Sequence, residues 1–266
     1  MIETRLTSSI EATLANAAFG DRPDTWPLPP ATTARHLWLR AVAAGGLGRY
    51  GSAYADLARL RRQVHDGPLA SLAHSTHASF LRQLGWHTLA RGWDGRALSL
   101  AGTGAEARAD ALIGLAADAL GVGRFAAAAT LLDRADAQAQ RSAVRRCWVA
   151  AELAMATGAG TPAVRRAEEA VELARAMAGG SVRHRVKSDV VLAAALCSAG
   201  DLERARTVAE RALQTTGELG LIPLRWALSC LLIDIGSVTI STRKLAEIRD
   251  ICAGQVRRAG GTWRTA

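Results

Sequence analysis

The chain is short of several residue types. It has one asparagine, Asn16, and only two lysines, Lys187 and Lys244, in 266 residues. Aromatic residues make up 5% of it, too few to build a core from large rings, although 49% of the residues are hydrophobic. The core must therefore rest on close contact between small and aliphatic side chains. Four cysteines, Cys147, Cys197, Cys230 and Cys252, show no C-x-x-C or Cys/His spacing. That excludes a zinc frame by pattern, and the thiols are expected to be reduced and packed as small apolar groups. No window offers the roughly 18 apolar residues of a membrane span. The opening MIETRLTSSIEATLANAAFG has neither a basic start nor an unbroken apolar stretch, so no signal peptide is expected and the expected compartment is the cytoplasm. There is no phosphate-cradling glycine loop, no G-x-S-x-G and no H-E-x-x-H. The expectation is a non-enzymatic protein with no cofactor and no metal.

What is present is a recurring code of alanine and glycine. Gly48, Gly85, Gly123, Gly158 and Gly200 stand 37, 38, 35 and 42 residues apart. Seven residues before them lie Ala41, Ala78, Ala116, Ala151 and Ala193, and five after them Ala53, Ala90, Ala128, Ala163 and Ala205. Seven residues further on come Leu60, Ala97, Ala135, Ala170 and Ala212. Two helices approach closely only where facing side chains are small, and glycine ends a helix in a left-handed turn without a Cβ penalty. Apolar residues in VVLAAALCSAGDLERARTVAERAL (190–213) recur at three- and four-residue steps, which is helical periodicity. Each unit therefore reads as an antiparallel helix hairpin. A sixth, weaker unit would turn at Gly236, with Ser229, Ser241 and Ile248 at the small positions.

Residues 34–213 resemble the tetratricopeptide repeat, with its small residue in the first helix, glycine at the turn and alanines in the second. The resemblance implies an all-α, right-handed superhelical solenoid of five to six hairpins. The intervals exceed the family's period of about 34, with extra residues at 62–70 and 175–185. The array is thus either of this family or a related superhelix of irregular units. The alanine- and arginine-rich usage resembles that of repeat proteins from high-GC, actinobacteria-like bacteria. The expected organisation is an N-terminal helix and proline-rich joint over 1–30, repeats over 31–258, and a flexible tail over 259–266. Ser8 and Glu11 have capping-box spacing.

In the resembled family the first helix of each unit lines a concave groove. Ten residues before each turn glycine stand Trp38, Ser75, Ile113, Trp148, Val190 and Trp226. Arg35, Arg82, Arg145 and Lys187 would form a basic rim. Such a groove suits a protein or peptide with acidic and apolar residues, since arginine pairs bidentately with carboxylate and tryptophan supplies contact area. Equally, the tryptophans read as core between repeats and the arginines as solvated ends. The single asparagine excludes the Lys/Asn clamp by which some members hold a C-terminal carboxylate. Arg183, Arg185 and Lys187 fall at a helix start, where cations oppose the helix dipole, so a bound anion would be their compensation. His74, His77 and His87 read as ordinary helix polarity, two close histidines being too few for a metal. Net charge +9 keeps a nucleic-acid-associated or transcription-complex role as the alternative. The apolar sixth unit allows self-association, and no membrane partner is expected.

Overall fold

The computed structural model describes the backbone of residues 2–264 and the side chains of residues 8–264. Thirteen helices account for the described secondary structure. They are α1 (Ile2–Phe19), α2 (Ala34–Gly46), α3 (Tyr50–Gln63), α4 (Gly67–Gln83), α5 (His87–Leu100), α6 (Ala105–Gly121) and α7 (Phe125–Arg134). After these come α8 (Gln140–Ala156), α9 (Gly160–Ala176), α10 (Val182–Ser198), α11 (Leu202–Glu218), α12 (Ile222–Ile235) and α13 (Thr242–Arg258). Neighbouring helices pack in sequence order, as in a helical repeat. The even-numbered helices α2 to α12 also touch one another in succession, forming a layer of their own.

The alanine code marks the hairpin contacts. All ten alanines flanking the five turn glycines are 0% exposed. At each turn the residue after the glycine donates its N–H to the carbonyl five residues before its own position: Arg49 to Ala44, Trp86 to Leu81, Arg124 to Ala119, Ala159 to Ala154 and Asp201 to Leu196, all within 2.8–3.0 Å. This bond requires the glycine between to be left-handed, and the five φ values run from 75° to 90°. Leu221 to Thr216 repeats the bond at Gly220, between α11 and α12.

The sixth hairpin departs from the code. Gly236 leads into a longer loop, held by Glu210, which accepts from Ser237 Oγ and from the Val238 N–H at 2.8 Å. Helix α13 therefore starts later. Ser241 becomes its exposed N-cap, accepting from the Lys244 N–H, and Leu245 fills the buried position instead. Ser8 likewise lies inside α1, so it caps nothing.

The two ends of the stack meet. Leu14, Ala17 and Ala18 of α1 are buried against α2, and Arg35 pairs with Glu11 at 2.6 Å. The segment expected to be a flexible tail is docked as far as it is described. The Gly51 N–H donates to Ala259 O at 2.7 Å, Trp86 Nε1 to Thr262 O at 2.7 Å, and the Arg264 N–H to Leu84 O at 2.9 Å. Trp263 lies against Trp226 with ring centroids 4.3 Å apart. These contacts satisfy backbone groups and cover an indole, which a frayed tail would leave in water. No helix among the described residues is long and apolar enough to cross a membrane.

Candidate functional site: a basic interior cavity

A cavity of about 200 Å³ lies where the even-numbered helices converge, and all six contribute to its lining, together with Phe19 at the end of α1. The lining residues follow a helical stripe. Counted from each unit's turn glycine most of them fall at −2 (Gly46, Gln83), −6 (Val42, Ser79), −10 (Trp38, Ser75, Trp148), −13 (Asp110, Arg145, Lys187, Pro223) and −17 (Arg141, Arg183). Steps of three and four residues keep one face of a helix pointing inward.

The tryptophan expectation divides. Trp38 and Trp148 line the cavity, and both are tied down through their ring nitrogens. Trp38 Nε1 donates to Thr76 Oγ1 at 3.0 Å, and Trp148 Nε1 donates to Ser188 Oγ at 2.8 Å. Trp148 also stacks on His184, with centroids 5.4 Å apart. Trp226 does not reach the cavity, because Trp263 of the docked C-terminal segment holds it at the seam.

The expected rim is not an open row of cations. Arg35 lies outside the cavity, on Glu11. Arg82 is buried between α4, α5 and α6, where it pairs with Asp94 and, at 3.0 Å, with Asp118. Burial drives the Asp94 carboxyl up to about 7, and Asp118 is raised by the same cause. Arg145 does reach the cavity, but it shares Asp110 with Arg141, whose Nη2 stands 2.7 Å from that carboxylate. Burial opposes ionisation of Asp110; Arg141 and Arg145 override it and hold the carboxyl below its usual range. Lys187 reaches Glu152 at 3.4 Å.

Arg183 is the exception. It forms no ion pair among the described residues. Its guanidinium crosses from α10 to α2, where Nη1 donates to Val42 O at 2.9 Å. Gly46 makes the crossing possible, since a Cβ there would stand 2.9 Å from that nitrogen. Surrounding protein and the nearby Arg141 and Arg145 lower Arg183 to about 10, so it remains cationic at neutral pH. Next to it, His184 Nδ1 lies 2.7 Å from Ser181 Oγ. Burial, then Arg183, keep this imidazole neutral. Arg185 does not line the cavity.

The histidine cluster is packing. His77 stacks on Trp93 at 3.9 Å, and burial followed by Arg61 and His74 pushes it down to about 4. Among the described residues no group of three or more His, Cys, Asp or Glu side chains is placed to hold a metal. All four cysteines are free thiols.

Sequence reasoning missed Arg141, His184 and Phe19 as cavity residues. The signal for Arg141 and His184 was available: extending the inward stripe one more turn, from −13 to −17 and −16, reaches both. Phe19 precedes the repeats, and nothing in its local sequence points to them. No protein-family model matches this chain, and none of the curated proteins compared with it is similar to it.

Proposed function

We propose that the chain is a non-enzymatic binding module whose hairpins form a right-handed superhelix of the tetratricopeptide-like kind, and which takes its ligand in the cavity between the even-numbered helices. The observation that carries this reading is the convergence of all six of those helices on one partly basic cavity with two indole walls. Binding sites are concave and mainly apolar, with a few placed polar groups. Asp110, the one carboxylate of the lining, is taken up by two arginines and is unavailable as a base.

An extended peptide in an open groove fits the geometry less well. Phe19 and the last hairpin occupy that space, and about 200 Å³ accommodates a small molecule or a single projecting side chain. The nucleic-acid alternative rests on the net charge of +9, with Arg183 and Lys187 lining the cavity rather than adding to a separate strip.

The test is a thermal-shift screen of small aromatic and aliphatic fragments against the native chain and a Ser79→Trp variant that plugs the cavity. A ligand present at 100 times its Kd stabilises by about 2.7 kcal/mol. Fragments should raise the Tm of the native chain and not that of the plugged, folded variant. Equal shifts in both, or no shift with any fragment, would refute an interior site.

A further inference from the structure

The cavity carries an unbalanced charge. Arg141, Arg145, Arg183 and Lys187 face it, and their carboxylate partners are Glu106, Asp110 and Glu152. Four cations stand against three paired carboxylates, and the cation left without an ion-pair partner among the described residues is Arg183. A guanidinium has five N–H donors, and among the described residues Arg183 makes one hydrogen bond, to Val42 O. The Phe19 ring lies 5.7 Å from its guanidinium. Arg183 is half-buried, and a cation partly withdrawn from water with no ion-pair partner favours a counter-charge beside it.

The apolar walls of the cavity come from Trp38 and Trp148. Their N–H groups are already used, so what they offer a guest is ring surface.

We infer that the cavity binds a small single-ring carboxylate, its carboxylate on Arg183 and its ring against Trp38 and Trp148. The size agrees: a dry cavity of about 150 Å³ takes benzene, and this one measures about 200 Å³. The charge selects among oxyanions. One carboxylate cancels the surplus of one, whereas a phosphate monoester brings about −1.5 to −2 at neutral pH and overfills it. This assignment rests on the interior-site reading above.

The experiment is calorimetric and Trp-fluorescence titration of the full chain with benzoate, benzamide, acetate and phenyl phosphate. Benzoate should bind one to one, roughly tenfold to a hundredfold more tightly than benzamide, the range expected for hydrogen bonds to a charged group. It should also exceed acetate and phenyl phosphate. Arg183→Gln should lose benzoate affinity by a similar factor and keep benzamide affinity. Should that variant not fold, Arg183→Lys and the native chain's benzoate-to-benzamide ratio decide the matter. Equal affinity for benzoate and benzamide would overturn the anion anchor while leaving an interior site standing. Acetate matching benzoate would overturn the ring subsite. Preference for phenyl phosphate would overturn the monocarboxylate, and no binding in any arm would overturn the assignment altogether.

Discussion

Replacing Arg82 by Met should unmask the cost of the buried carboxylates it serves. The side chains of Asp94 and Asp118 are both 0% exposed, and Arg82 is 10% exposed. One oxygen of each carboxylate, Asp94 Oδ1 and Asp118 Oδ2, already lacks a partner. Removing one member of a buried ion pair typically costs about 3–5 kcal/mol. At about 2–4 °C of Tm per kcal/mol for a large domain, the loss is roughly 6–20 °C. The sign of the pH dependence follows from Asp94, raised in the folded chain to about 7. A free aspartate titrates near 3.9. Between those values the folded chain holds more protons than the unfolded one, so stability falls as pH rises through that window. Without Arg82 both carboxyls shift further up. The variant should therefore lose more at pH 8 than at pH 5, as read from Tm and urea midpoints at both. Adding Asp94→Leu and Asp118→Leu should restore most of the loss, since an apolar replacement of a buried triad is often neutral or stabilising. A loss below about 1 kcal/mol, or one independent of pH, would refute the argument.

Two further perturbations follow from the turns and the seam. Gly200→Ala has open space for its methyl, nothing lying within 4 Å, so only the φ of 84° opposes it. It should cost about 1–2 kcal/mol in the denaturation midpoint, and no loss would show that the turn relaxes. Trp263→Ala should cost about 1–3 kcal/mol through the lost pairing with Trp226, and should speed hydrogen exchange at the Gly51 amide, which Ala259 O holds at 2.7 Å. Unchanged exchange there would mean that the seam does not depend on the indole.

The hairpins were legible because their contacts are local and written in residue size. An alanine at Ala163 or Ala205 has little else to do in a helix than let a neighbour approach, and both are 0% exposed. Part of the cavity was legible for the same reason, since Trp38, Trp148, Arg145 and Lys187 fall in repeating columns. The ion pairs were less so, although they leave a trace at one repeat's distance. Arg145 finds Asp110 and Arg141 finds Glu106, each 35 residues earlier and in the same column, whereas Lys187 finds Glu152 where the turn glycines stand 42 apart, in a different column. Reading the acids in the same columns would have moved Arg145 off an open rim. The seam left no such trace. Trp86 and Thr262 are 176 residues apart, and GGTWRTA is short, polar and rich in glycine, which locally reads as fraying. Its single indole was the only local hint of docking.

That seam has a consequence for how the chain is made. An open stack of hairpins can add units one at a time from the first to emerge. Here the residues after α13 supply partners for Gly51, Leu84 and Trp86, so the first two hairpins stay uncovered until residues 259–264 have been made. Synthesis proceeds at about 5–20 residues per second, so the exposed surface persists for some ten seconds or more. Bringing such distant ends together then carries a loop entropy that local hairpins escape, and it grows only with the logarithm of the intervening length. Closure should follow the formation of the local hairpins, and the cavity, which needs Pro223 and Leu224, comes into being only once α12 has been made.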